Sequence, residues 1–340
     1  MRSRVILFVT ICVVATTVAI GYSIAAADRN APPSRSATAA AAQPEPLAAV
    51  TGPYLGYIGT RIDSTGSRFA VAPPGGSPDA PALTDLRCKV AHAAAGRGIC
   101  LEYGGLVASD LIVFDERFQP LHKVPLPGFL PSRARVASDG KLGAVTVFVN
   151  GHSYAVAGFS TFTGIFDLSS GKLLASLEDF KVTRDGKPFS SPDFNFWGVT
   201  FAKEQGRFYA TLGTGGETYL VEADMGTRTA RVLRSNVECP SLSPDGTRLV
   251  FKKRVSGGLG PVEWRLHVLD LATMKETPLS ETRSIDDQAE WLDDQRVAYS
   301  AMRPRPSGET DTWVVPVDGS QQPSILVPDA QSPVAVHQWG

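Results

Sequence analysis

Ser243-Pro244-Asp245-Gly246 followed by Thr247-Arg248-Leu249-Val250-Phe251 is a tight turn feeding a strand, and the chain repeats that unit. Each turn residue has its own reason to be there. Pro pre-sets φ at the second position, Asp bonds back to the backbone, and Gly accepts positive φ. After it the spacing predicts a second strand at residues 264–271, ending in Asp270-Leu271, and a short outer strand at residues 275–279. Strand, turn, strand, loop, strand, turn, strand is the grammar of one propeller blade.

Related units recur at Asp63-Ser64-Thr65-Gly66, Ala95-Gly96-Arg97-Gly98, Ala137-Ser138-Asp139-Gly140, Lys203-Glu204-Gln205-Gly206 and Leu292-Asp293-Asp294-Gln295. Strands are expected after them at residues 68–72, 99–103, 142–149, 207–212 and 297–300, with later strands at residues 111–115, 219–223 and 313–319. The turn positions 66, 96, 140, 206, 246 and 294 are 30, 44, 66, 40 and 48 residues apart. Propeller blades repeat at roughly 40–50 residues, with loops stretching individual repeats. The expectation is therefore an all-β fold, a single β-propeller of six blades over residues 52–340, after an N-terminal hydrophobic helix and a linker. The first repeat is short by about one strand. Residues 332–337 can supply it and close the ring, which removes exposed strand edges.

Ser243-Pro244-Asp245-Gly246-Thr247-Arg248-Leu249-Val250-Phe251 resembles the repeat signature of TolB-like, WD-related propellers, and the endings at Asp270-Leu271 and Asp167-Leu168-Ser169-Ser170-Gly171 agree with it. The resemblance covers roughly residues 52–340. It implies a fold and leaves function open, because the signature encodes a turn and a strand. The Gram-negative protein carries an additional N-terminal α/β domain, which is not expected between this linker and propeller, so the Tol–Pal role is not carried over. The arrangement looks like the anchored or exported TolB-like proteins of high-GC Gram-positive bacteria.

Ahead of the repeats, Arg2 and Arg4 precede residues 5–27, a run without a charge. A span of about 20 apolar residues crosses a bilayer, whereas a cleaved signal has an apolar region of roughly 7–15. Length favours a retained anchor; Ala25-Ala26-Ala27 offers the small residues of a cleavage site. In either case the positive charge before the run places the body outside the cytoplasmic membrane, tethered or secreted. Residues 28–51, rich in Ala, Pro and Ser, have little to bury and read as a disordered spacer.

Charge and motifs narrow the function. The first 50 residues hold four of the 33 Lys and Arg and two of the 34 Asp and Glu, leaving 29 basic against 32 acidic residues, a net of −3. Nucleic acid is not an expected partner without a basic face to displace counterions. The five histidines, at 92, 122, 152, 267 and 337, form no H-E-x-x-H or H-x-x-x-H pair, and no C-x-x-C joins the four cysteines. No metal or cofactor is expected. G-x-S-x-G, G-x-G-x-x-G ahead of a helix and the P-loop are all missing, as is an α/β segment after the propeller for an oligopeptidase-type hydrolase.

The candidate site is the axial channel. Aligning the repeats by their turns brings Glu238 and Cys239, Asp287 and Gln288, Ser132 and Arg133, and Trp197 and Gly198 to one mouth, with Arg61 and Arg135 two residues further in. Asp286, Gln288 and Glu290 fall on one side of an alternating strand and Asp287 and Ala289 on the other, while Asp293 and Asp294 form a turn. Arg61, Arg133, Arg135, Trp197, Glu238, Asp287 and Glu290 make a mixed-charge funnel with an aromatic, suited to a polar ligand or peptide segment. The competing role of these polar side chains is to bond neighbouring blades and hold the ring together. The functional expectation is a non-enzymatic, monomeric binding or scaffold module with a protein or peptide partner at the cell envelope. A lactonase-like hydrolase or an oxidoreductase with an axial site is the alternative.

Cys88 and Cys100 flank a small-residue hairpin. With its centre at Ala94 the two oppose each other, Cα atoms about 4.5–5.5 Å apart, within reach of a disulfide in an oxidising compartment. Cys239 is then unpaired and buried near the channel.

Overall fold

The computed structural model describes residues 52–61, 67–72, 81–103, 108–128, 130–149, 160–256, 261–303 and 309–337. The expected anchor at 1–27, the spacer at 28–51, the Asp63–Gly66 turn and His152 lie outside the described residues.

The described residues form six antiparallel blades around an axis, numbered here in chain order. Blade 5 shows why the sequence folds this way. Its strands are Glu238–Leu242, Arg248–Arg254, Trp264–Asp270 and Glu276–Pro278, ordered from the axis outward. The first turn closes as its residues dictate. Gly246, at φ +80°, donates its N–H to the Ser243 carbonyl at 2.8 Å. The Asp245 carboxylate takes the Thr247 N–H at 2.9 Å and the Ser243 hydroxyl at 2.6 Å. The second turn is held by Asp270, whose carboxylate accepts the Thr273 N–H at 2.7 Å. Asp167 does the same for Ser169 and Ser170, and Asp224 for Thr227, so the recurring Asp at the strand end is a turn lock.

The C-terminal strand Ala330–Val336 is the innermost strand of blade 1, hydrogen-bonded to Tyr54–Gly59, as the short first repeat requires. The ring is thereby closed by a strand from the other end of the chain. One consequence corrects the repeat alignment. The turn after Tyr54–Gly59 joins the second and third strands of its blade, whereas the other turns join the first and second.

Blade 4 holds a second departure. Its four blade strands are Asn195–Phe201, Arg207–Thr214, Glu217–Asp224 and Thr229–Ser235, and a hairpin of Lys181–Arg184 and Lys187–Phe189 adds two more on the outside, with Lys181–Arg184 pairing in parallel with Thr229–Ser235. The hairpin accounts for part of the 66-residue gap between turns.

The core is divided among the blade interfaces. Tyr54, Phe69, Phe114 and Phe118 pack between blades 1 and 2, with ring centroids near 6 Å. Separate clusters follow between blades 2 and 3, 3 and 4, 4 and 5, 5 and 6, and 6 and 1. Each blade thus presents an apolar face to both neighbours, with the hydrogen-bonded ladder running between them.

Cys88 and Cys100 are bridged, with Cα atoms 5.3 Å apart. The hairpin register differs from the expected one. Ala95 and Gly96, both at positive φ, make a two-residue turn that pairs Ala91 with Cys100. Cys88 lies before the strand Val90–Ala94 and meets Cys100 from there.

Candidate functional site at the axial mouth

The innermost strands are Ala330–Val336, Val90–Ala94, Leu130–Val136, Asn195–Phe201, Glu238–Leu242 and Glu290–Trp291, from blades 1 to 6. Four of them carry a register shift where they pair with the next strand: between Pro131 and Arg133, Trp197 and Thr200, Glu238 and Ser241, and opposite Gly56 and Ile58 near Ser332. Bulges of this kind re-aim side chains. Gly198 at φ +64° and Cys239 at φ +49° face each other, and a Cβ on Gly198 would lie 2.7 Å from the Cys239 Cα.

Each junction between neighbouring blades is tied through an innermost strand. Ser332 bonds the Ala91 backbone, the Val136 N–H donates to His92 Nδ1, and the Thr161 hydroxyl donates to the Phe196 carbonyl. The Leu242 N–H donates to the Thr200 hydroxyl, Trp291 Nε1 to the Ser241 carbonyl, and the Ala335 N–H to Glu290 Oε1. Gln288 Nε2 adds bonds to the Val199 and Pro240 carbonyls. Several axial polar groups therefore hold the ring together.

At one end of the axis lies a chamber of about 710 Å³. Arg133, Arg135, Trp197, Glu238, Asp287 and Glu290 all line it. Arg61 does not. It follows the second strand of blade 1, one strand from the axis, and its guanidinium, 65 % exposed, pairs with Asp329 at 3.8 Å. Residues 286–289 are loop rather than strand, the strand beginning at Glu290.

The chamber floor is a buried charge cluster. Arg135 forms an ion pair with Glu290, whose carboxylate is also 3.5 Å from His92 Nε2. The Val136 N–H donates to His92 Nδ1 at 3.1 Å and the Arg135 guanidinium lies 2.9 Å from His92 Nε2, so both ring nitrogens face groups that can only donate, a setting that disfavours a doubly protonated ring. Burial, and after it Arg135, holds the His92 pKa below its ordinary value. Burial opposes ionisation of Glu290, but Arg135 and His92 outweigh it and hold the carboxyl at about 2. His92, Arg135 and Glu290 also line a chamber of about 400 Å³ on the other side, so they separate the two ends of the axis.

Nearer the opening, Glu238 accepts Trp264 Nε1 at 2.9 Å and lies 3.7 Å from Lys252. Lys252, only 3 % exposed, sits 4.6 Å from the Trp264 ring centroid and pairs with Asp286. Arg133 donates to Cys239 Sγ at 3.3 Å and reaches Asp286 at 3.4 Å. Cys239 is a buried free thiol. Asp287 accepts the Gln288 and Ser300 N–H groups at 2.8 and 2.7 Å. Among the described residues no group of three or more His, Cys, Asp or Glu side chains is placed to hold a metal ion.

Sequence alignment of the turns missed His92, Lys252 and Trp264. His92 had a signal: it interrupts the apolar run Val90-Ala91-His92-Ala93-Ala94 of an inner strand. Lys252 and Trp264 lie on the second and third strands of blade 5 and had none, because the repeat grammar assigns the axis to first strands.

No family model matches the sequence, and no curated protein matches it. Solved structures do. TolB from Acinetobacter baumannii aligns with a TM-score of 0.60 and 15 % identity over 83 % of this chain, which spans 66 % of that chain's length. A chain of a nidogen/laminin complex aligns with a TM-score of 0.57 and 9 % identity, covering 84 % of this chain and 98 % of that one. Identities this low bear on the fold. The body of this chain is a six-bladed β-propeller with the fold seen in TolB.

Proposed function

We propose that the chain is a non-enzymatic, extracytoplasmic binding propeller whose axial mouth takes an extended, polar segment of a protein partner. The observation that carries this reading is how the mouth spends its acids. Glu290 is used by Arg135, His92 and the Ala335 N–H, Asp286 by Lys252 and Arg133, Asp287 by two backbone N–H groups, and Glu238 by Trp264 and Lys252. A general base needs an uncommitted lone pair within reach of a substrate proton. These carboxylates are committed to the fold, while the aromatic and cationic side chains Trp197, Trp264 and Arg133 line the chamber. Aromatic and Arg side chains are the residue types on which protein interfaces concentrate their energy.

In this reading residues 5–27 serve as a retained anchor and residues 28–51 as the spacer that holds the propeller off the membrane. The test is affinity purification of the full chain from cross-linked membranes, beside a Trp197→Ala/Arg133→Glu variant. A stoichiometric partner that the variant loses is the expected result. Equal recovery by both, or turnover of a small lactone or alcohol by the purified chain, overturns the reading in favour of a propeller enzyme.

A further inference from the structure

Blade 4 carries structure that ring closure does not need. The other blades have four strands, whereas here the connection from blade 3 includes a short 3-10 turn, Leu177–Asp179, and the hairpin Lys181–Arg184 and Lys187–Phe189 before the innermost strand begins. Those extra residues build one wall of a cleft of about 1000 Å³ between blades 3 and 4. Phe180, Val182, Phe189 and Phe194 line it from the inserted side, and Val149 and Phe162 from blade 3. Phe189 and Phe194 pack edge to face at 5.2 Å, and Phe194 continues the chain of rings to Phe196 at 6.1 Å. The volume is at the upper end of the roughly 300–1,000 Å³ usual for binding pockets.

The cleft adjoins the axial mouth. Thr161 lines both. Phe148 lines the mouth and its neighbour Val149 the cleft; Trp197 lines the mouth and Asn195 the cleft. The same strands of blades 3 and 4 therefore border both spaces, which lie side by side along them.

The hairpin edge decides how such a chain is held. Asp185 and Gly186, at φ +51° and +74°, make a two-residue turn, with Arg184 opposite Lys187 and Thr183 opposite Pro188. In such a hairpin the pair flanking the turn exchanges both hydrogen bonds, so the next residue directs its backbone outward. That residue is Pro188, which has no N–H. Pro at this place blocks addition of another strand to the edge. The cleft is thus suited to side chains and not to β-strand pairing.

We infer that the inserted segment of blade 4 forms an anchor pocket for the same partner peptide, receiving a large aromatic or branched aliphatic side chain carried a few residues from the polar stretch in the mouth. This rests on the reading of the mouth as a peptide site. A lone apolar molecule would fill the cleft without using the charged mouth; a peptide uses both.

The test takes the full chain in lipid nanodiscs and selects binders from a library of random 12-residue peptides displayed on phage. Affinities of the selected peptides are then measured for the native chain and for Phe189→Ala, Ser190→Trp and Arg133→Glu, each checked for an unchanged thermal transition. Phe189→Ala removes a wall and Ser190→Trp obstructs the cleft from an exposed position. Binders are expected to share one aromatic or aliphatic position, and each cleft variant to weaken them about tenfold or more, the size of an anchor residue's loss. Binders weakened by Arg133→Glu but indifferent to both cleft variants overturn the anchor pocket and leave the mouth reading standing. Binders indifferent to Arg133→Glu, or a library that yields none, overturn both.

Discussion

Arg135 on the innermost strand of blade 3 forms a buried ion pair with Glu290 on the innermost strand of blade 6, directly across a six-bladed ring. Glu290 also accepts the N–H of Ala335, on the C-terminal strand that completes blade 1. One carboxylate therefore links the closing strand to the far side of the propeller. Removing one partner of a buried pair strands the other charge, at about 3–5 kcal/mol. Glu290→Ala is expected to lose stability on that scale in urea titration. The double replacement Arg135→Met/Glu290→Leu should recover most of it, since it leaves no charge unpaired. A Glu290→Ala loss below about 1 kcal/mol contradicts the linkage.

Acid should act through the same cluster. The Glu290 pKa is depressed from 4.5 to about 2 in the folded chain, so its stabilising contribution is complete above about 4.5 and disappears as pH falls toward 2. His92 is also held below its ordinary 6.5, so the unfolded chain takes its proton more readily and stability starts to decline below that pH. Both groups push the same way. Melting temperature measured from pH 7 to 2 should fall, and His92→Gln should flatten the upper part of the decline. An undiminished slope between pH 6.5 and 5 in that variant counts against a neutral His92.

The Cys88–Cys100 bridge closes a separation of 12 residues, and a loop of this size is worth about 2–3 kcal/mol. Cys88→Ala/Cys100→Ala should lose about that much. In the unreduced, unfolded chain Cys239 is expected to be the only cysteine after residue 51 that alkylates, read by peptide mass.

Gly198 is a tight point in the mouth's backbone. At φ +64°, with the Cys239 Cα 2.7 Å from where a Cβ would be, Gly198→Ala has to shift the bulge that aims Trp197. Strain of this kind costs about 1–3 kcal/mol. Differential scanning calorimetry should show it, and Trp fluorescence should change with it. Gly186→Ala, with φ +74° but open space around it, provides the comparison for φ alone.

Blade number, turn chemistry and ring closure could be read from the chain because each rests on local residues: Pro, Asp and Gly at turns, alternation in strands, and a first repeat one strand short. The same shortfall misplaced Arg61. Counting from its turn treated the second strand of blade 1 as the first, whereas the true first strand is contributed by residues 330–336. The blade 4 hairpin had a legible sign in Asp185-Gly186 between Lys181–Arg184 and Lys187–Phe189, and the 66-residue gap left room for it. The axial ties were less legible. Half of each is a backbone group, and which side chain meets it depends on bulges such as Gly198 and Cys239 that carry no sequence signature. The disulfide was predicted from a hairpin centred on Ala94, yet the actual turn is Ala95-Gly96; it forms because Cys88 approaches from outside the strand.

The claim that the axial mouth holds a protein segment is tested most directly by cross-linking from inside it. Met302 lines the mouth and is 66 % exposed, while Leu174 lies on the outer strand Lys172–Ser176 of blade 3, 40 % exposed. A photoreactive benzoylphenylalanine is placed at one position or the other in the full chain, and cells are irradiated. The account predicts a discrete protein adduct from position 302, none of the same mass from position 174, and loss of the adduct when Arg133→Glu is added. No adduct from 302, or the same adduct from both positions and indifferent to Arg133→Glu, contradicts it.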